Sequence, residues 1–219
     1  MISASITLFA KNEKQYEFKS MYIEYEIQTS GSMVNSNGSE KIWYDDYGNL
    51  SYTHTKEKTV TSVFGHKSEE ERETISVLKG DWVYSADMKE KTGTKQNIKE
   101  IKEMGMMMGM AMTPNFAQPG KSEKQILMDF VKDNGGTWIG DEDYLGKKCW
   151  VFELMGTKQW MYKRLVLKVE GDMMGSKYVK KATKIDENPS IPAGKFEPPK
   201  GIEYELIDMD NMPGMEVDE

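Results

Sequence analysis

The chain has 219 residues and a net charge of −7, with lysines scattered among Glu and Asp; a protein that grips nucleic-acid phosphates shows a basic face instead. No run of about 18 apolar residues occurs, so no transmembrane helix is expected, and the length suits one large β-rich domain or two small ones. With 30% charged and 38% hydrophobic residues, sheets with one wet face fit better than a parallel sheet covered on both sides.

The chain opens on Ile2-Ser-Ala-Ser-Ile-Thr-Leu-Phe-Ala10. A short apolar stretch closing on a small residue reads as a signal-peptide remnant, although the positive leading region is missing. A short first strand or helix is the equal alternative, and residues 1–20 are grouped as this segment plus an N-terminal arm. Met21, Ile23, Tyr25 and Ile27 then alternate with Tyr22, Glu24, Glu26 and Gln28, the period of a half-buried strand. Residues 30–39 read as a polar turn and Glu40–Tyr44 as a second strand. Asp45-Asp46-Tyr47-Gly48 turns the chain, and Asn49–Thr55 returns. Residues 59–64 and 73–78 carry β-branched strand signatures, with the charged His66–Glu71 stretch expected as a loop between them. Lys79-Gly80-Asp81 leads into a hairpin partner at Trp82–Tyr84.

The middle changes period. Asn97 with Glu100 has capping-box spacing, and Ile98, Ile101, Met104, Met108 and Met112 recur as on a helix that Pro114 ends. A second helix starts at Ser122 with Gln125 three residues on; Ile126, Leu127, Phe130 and Val131 form its stripe, and Asn134-Gly135 stops it. Both helices are expected on one face of the sheet. Strands resume near Cys149–Leu154, Gln159–Val169 and Tyr178–Ile185. On the middle one, Met161, Leu165, Leu167 and Val169 are expected inward, and Trp160, Tyr162, Arg164 and Lys168 outward. Residues 208–219 read as an acidic, flexible tail.

The last third carries a resemblance. A Trp160-led strand and a strand ending Ala182-Thr-Lys-Ile185 precede Ile191-Pro-Ala-Gly-Lys-Phe196-Glu-Pro-Pro-Lys-Gly201. With Glu24-Tyr-Glu26, Asp45-Asp-Tyr-Gly48 and Lys91-Thr-Gly-Thr-Lys95, these motifs resemble the LolA/LolB-like superfamily of envelope lipoprotein carriers, in a poorly characterised bacterial branch. The likeness spans roughly residues 20–203. It implies a mainly β (α+β) fold of one domain over 21–207: a strongly curved antiparallel sheet forming an incomplete barrel, with inserted helices covering the concave face and an apolar cavity between. It also implies a periplasmic or cell-surface location. In the carriers, as the resemblance implies, an arginine on an early strand gates the lid; here the arginines are Arg72 and Arg164, and the strand at Lys41–Tyr44 has none.

Eighteen methionines is high usage, and Met104, Met106, Met107, Met108, Met110 and Met112 crowd together. One reading is structural, since Met fills irregular gaps. A second is an adaptable lid over an apolar ligand, loosened by Gly105 and Gly109 and formed by Ile101 and those six methionines with Ile126 and Phe130. A third is Cu(I), whose soft ligands would be Met104, Met106, Met108 and Met110. Other chemistry is thin. Asp141-Glu-Asp143 and Asp45-Asp46 lack EF-hand spacing, and Lys91–Lys95 lacks a P-loop's glycines. Five tryptophans (Trp43, Trp82, Trp138, Trp150 and Trp160) could form a stacking site, but more often such residues serve a core and its rim. The single cysteine, Cys149, and two histidines, His54 and His66, give no nucleophile–base–orienter set; Cys149 reads as a small buried hydrophobe.

The expectation is a non-enzymatic envelope binding protein, without a cofactor, carrying or sensing a lipid or other hydrophobic small molecule, with an envelope protein as a further partner. The alternatives are a copper-binding envelope protein and a structural or interaction scaffold.

Overall fold

The computed structural model describes residues 14–63, 66–99, 114–173, 175–192 and 194–207. The N-terminal ten residues, the methionine segment and the tail lie outside them. Twelve strands and one α-helix occur among the described residues: β1 (Met21–Ser30), β2 (Val34–Asp45), β3 (Leu50–Val63), β4 (His66–Lys79), β5 (Trp82–Asp87), β6 (Thr92–Asn97), α1 (Glu123–Asp133), β7 (Thr137–Tyr144), β8 (Lys147–Leu154), β9 (Thr157–Tyr162), β10 (Leu165–Met173), β11 (Ser176–Glu187) and β12 (Glu203–Ile207). All strands join one open sheet in the order β12-β6-β5-β4-β3-β2-β1-β11-β10-β9-β8-β7. Two antiparallel meanders, β1–β6 and β7–β11, are seamed through β1 and β11, and β12 lies parallel to β6.

Local chemistry explains the elements. The apolar alternation of β1 leaves Met21, Ile23 and Tyr25 buried and their neighbours half-buried or exposed. Tight turns fall where left-handed backbone is needed, as at Lys163-Arg164 (φ 47° and 65°) between β9 and β10. Ser122 caps α1 by accepting from the Gln125 amide at 3.2 Å, which satisfies one orphan donor of the first turn. The expected loop at His66–Glu71 is instead part of β4. Its side chains are exposed on both faces, so the two-residue period vanishes, and pairs such as Lys58–Glu69 (2.8 Å) tie it to β3. The polar turn is shorter than read, because β2 already begins at Val34. Strands β6, β7 and β12 go beyond the strands expected from the sequence.

The sheet curls on its β7–β11 side. Tyr144 Oη on β7 donates to the Ala182 carbonyl on β11 at 2.7 Å, although three strands separate them; a flat sheet would hold them about 19 Å apart. Tyr25 Oη on β1 likewise reaches Val166 O on β10 at 2.9 Å. The concave face so formed is filled by Met21, Ile23, Tyr25, Ile42, Cys149, Val151, Trp160, Leu165, Leu167 and Ala182, together with Tyr16 and Phe18 from the arm. The larger aliphatic side chains among them contribute roughly 1.5–3 kcal/mol each when fully covered.

Helix α1 packs on the other face. Leu127 and Val131 meet Phe152 and Leu154 of β8, with Trp138, Trp150 and Met161 around them. Trp160 therefore faces the concave core and Met161 the helix, opposite to the sequence expectation; Leu165 and Leu167 face inward as expected. The two-residue Lys163-Arg164 turn pairs Tyr162 with Leu165, so even positions of β9 share a face with odd positions of β10; the bulge at Leu167 then brings Lys168 opposite Trp160 and Val169 opposite Gln159, reversing those two as well. The outer face of β2 and β3 is crossed by the Pro-rich segment 188–202, whose Lys195 Nζ sits 3.6 Å from the Trp43 ring centroid and 3.7 Å from that of Tyr52.

Candidate functional site

The concave face continues from the filled core onto β3–β6, and the registers place its side chains in rows. Met21, Tyr44, Ser51, Leu78, Val83, Gln96 and Ile207 are cross-strand neighbours in sequence across the sheet. The next row toward the hairpin tips is Ile23, Ile42, Thr53, Ser76, Ser85 and Thr94. The third runs Tyr25, Glu40, Thr55, Thr74, Asp87 and Thr92. Directly opposed residues share a face, so the surface grades from apolar through small hydroxyls to carboxylates. Ile98, 1% exposed, follows the apolar end of β6 at the point where the methionine segment departs.

An ion pair sits at the polar end. Glu40 of β2 and Lys180 of β11 reach over β1 to meet, and Lys180 Nζ lies 4.6 Å from the Tyr25 ring centroid. Thr55 Oγ1 donates to Glu40 at 3.4 Å. Burial, reinforced by Glu40 and Glu57, pushes the Tyr178 phenol up to about 12; burial, then Glu40, pushes that of Tyr25 well above its ordinary range. Both phenols are neutral donors at neutral pH. On the opposite face of the same strands a shallow cleft of about 290 Å³ is lined by Glu26, Gln28, Asn37, Val179 and Lys181 among others.

A second polar constellation joins the arm, α1 and the β9–β10 turn. Arg164 donates to Lys14 O at 2.8 Å, pairs with Glu123 at the start of α1, and lies 4.7 Å from the Phe116 ring centroid. It sits in the turn, not on an outward strand position. The Glu17 carboxyl is raised, by desolvation first and by Glu123 next, against the pull of Arg164 and Lys163.

Of the residues singled out from sequence, Ile101, Met104, Met106, Met107, Met108, Met110 and Met112 lie outside the described residues. Ile126 is 2% exposed, and Phe130 packs around the Leu127–Phe152 cluster on the helix side. The tryptophans do not form one stacking site: Trp160 is in the concave core, Trp138 and Trp150 lie beneath α1, and Trp43 lies under Lys195. Asp141 and Glu142 are taken by Lys124, Lys148 and Lys158, and no group of three potential metal ligands forms among the described residues. Sequence reading missed Glu40, Lys180, Glu17 and Glu123. Glu40 sits opposite Tyr25, a buried β1 residue, so the β1 alternation carried to its partner strand would have placed that carboxylate inward.

No family profile matches the chain, and no curated protein matches it. Among solved structures it is similar to a DUF1329 family protein from Desulfovibrio piger ATCC 29098, at 12% identity and a TM-score of 0.31, over 84% of this chain and 92% of that one. It is also similar to a domain named for outer membrane lipoprotein sorting from Vibrio parahaemolyticus, at 10% identity and a TM-score of 0.22, over 84% and 92%. Both likenesses are distant, and no ligand or activity passes from them to this chain. No helix among the described residues is long and apolar enough to cross a membrane.

Proposed function

We propose that this is an exported, non-enzymatic binding protein of the cell envelope that holds an amphiphile, a lipid or acyl chain with a polar head, against the concave face of its sheet. The observation that carries the reading is the graded face. Leu78, half-buried beside the buried Val83, marks the apolar end. The Thr53–Ser76–Ser85–Thr94 row presents small side chains that let a ligand approach the backbone. Glu40 and Lys180 supply charge where a head group would lie. An apolar lining with a few placed polar groups is the usual composition of a small-molecule site. In this reading the methionine segment, which leaves the chain just after Ile98, covers the alkyl chain as an adaptable lid.

The test is mass spectrometry of gently purified protein, followed by titration with a fluorescent fatty acid. Co-purified lipid and probe binding are expected. Replacing Ser76→Phe, which fills the middle of the row, is expected to weaken the probe by about tenfold or more, roughly 1.4 kcal/mol, with the far-UV spectrum unchanged. Protein that carries bound copper and no lipid, or that binds no apolar probe, overturns the reading.

A further inference from the structure

The face turned away from the concave site carries a row of aromatic rings. Tyr22, Trp43 and Tyr52 are direct cross-strand neighbours on β1, β2 and β3, so their side chains share one face. The Tyr22 and Trp43 ring centroids lie 4.6 Å apart, and Tyr52 meets Trp43 edge-on at 5.6 Å and 76°. Trp43 and Tyr52 thereby make two walls of an open corner. Both are half-buried, so the corner reaches solvent.

A cation already sits in that corner. Lys195 Nζ lies 3.6 Å from the Trp43 centroid and 3.7 Å from that of Tyr52, where the ring faces attract positive charge. A primary ammonium also carries three N–H donors. Among the described residues no carboxylate or other acceptor takes one of them; the one bond of Lys195 is from its backbone amide, to Pro192 O at 3.1 Å. Burial pushes the amine below its ordinary value, with no carboxylate to hold it up. The corner thus favours positive charge and disfavours N–H groups. A trimethylammonium group has the charge without the donors, and aromatic walls are the usual holders of such groups.

The lysine side chain can leave without the segment that bears it. Segment 188–202 is fastened on both sides of Lys195. The Asn188 amide donates to Ser20 O at 3.0 Å, and Lys79 pairs with Glu197 at 2.6 Å. Ile202 packs against the bare backbone of Gly93, where an added Cβ would lie 2.9 Å from its Cγ2. The flexible four-carbon stem of a lysine swings on such an anchored backbone, and its ammonium regains in water the hydrogen bonds that the rings cannot supply.

We propose that the Trp43–Tyr52 corner is a binding site for a quaternary ammonium group, with Lys195 as its resident competitor: the incoming cation takes the ring faces and the lysine ammonium moves out to solvent. The site lies on the face opposite the amphiphile site proposed above and stands without it.

The experiment titrates choline against the protein and follows the broadening of its methyl proton signal. Lys195→Ala, which vacates the corner, is expected to bind choline about tenfold more tightly than the wild type. Lys195→Arg, which keeps a cation over the rings, is expected to show no such gain. Adding Trp43→Leu to Lys195→Ala is expected to abolish binding. The neutral isostere of choline, with carbon in place of the nitrogen, is expected not to bind any of them. Far-UV spectra check that each variant keeps its strands. A Lys195 that merely pins its segment predicts equal choline binding by the wild type and Lys195→Ala, and that result overturns the proposal. Binding that survives Trp43→Leu, or equal uptake of the neutral isostere, overturns it too.

Discussion

The Tyr144 hydroxyl donates to the backbone carbonyl of Ala182 at 2.7 Å, joining the edge strand β7 to β11 across the mouth of the curl. Around it, Lys147 of β8 reaches Glu187 at the end of β11, so the curl is pinned by a neutral and a charged contact side by side. Tyr144→Phe removes the neutral one and keeps the ring. It is expected to destabilise the fold by about 1 kcal/mol, measured as a lower urea midpoint with an unchanged slope. No loss in midpoint would show that core packing alone sets the curvature.

Glu187 gives the curl a pH dependence. Burial pushes its carboxyl up, but bonds from Lys147, Lys163 and Tyr162 outweigh burial and hold it at about 2, against an ordinary 4.5. A depressed folded value means the stabilisation is complete above the ordinary value and is lost as the pH falls toward 2. Glu187→Gln is expected to cost on the order of 2 kcal/mol at neutral pH and to narrow its gap to the wild type in acid. Urea melts at neutral pH and at about pH 3 check this, and a gap that stays constant would refute it.

Gly48 is a position where the backbone requires glycine. Its φ is +96°, and a Cβ there would lie 2.8 Å from the Tyr16 ring and 2.9 Å from the Gln15 side chain. Gly48→Ala is therefore expected to cost about 1–3 kcal/mol and to loosen the arm in particular. Hydrogen exchange of the Gln15 and Tyr16 amides, both bonded to Tyr47 O, should accelerate more than exchange in β1. Uniform acceleration would mean that the strain falls on the sheet instead.

Cys149 is fully buried in the concave core, and its thiol is pushed up to about 11, by burial above all and next by Asp143. At pH 8 roughly a thousandth of it is thiolate, against about a quarter of an ordinary cysteine. Alkylation of the native protein is expected at least about a hundredfold more slowly than after unfolding in urea. Comparable rates would place the thiol at the surface.

How much of this was legible depends on whether chemistry stayed local. The β1 alternation and the Ser122–Gln125 cap are signals within a few residues, and both elements formed where they were read. Strand β7 hid because its acidic Asp141-Glu-Asp143 looks like a turn, and the register shift between Trp138 and Gly140 breaks its period. The face assignment of Trp160 and Met161 fails at the two-residue Lys163-Arg164 turn, which splits what reads as one strand into β9 and β10 and pairs Tyr162 with Leu165. Of the site, the pairing of Arg164 with Glu123, 41 residues apart, follows from how α1 docks on the sheet, and that of Glu40 with Lys180, 140 apart, from sheet order; no local pattern encodes either. The resemblance of the C-terminal motifs pointed to a curved sheet but expected its helices on the concave side, and α1 packs on the other.

The parallel seam between β12 and β6 sets an order on synthesis. Strand β6 finishes at Asn97, yet the neighbour that completes its outer edge begins at Glu203, so more than a hundred residues must be made before that row of amides and carbonyls is paired. During that interval the first meander presents an open edge to any extended chain nearby. Gly93 near the start of β6 leaves no room for a Cβ beside Ile202 and Tyr204, so the edge is shaped for one late-arriving segment. The newborn first half is accordingly the stage at which this protein is most exposed to mispairing.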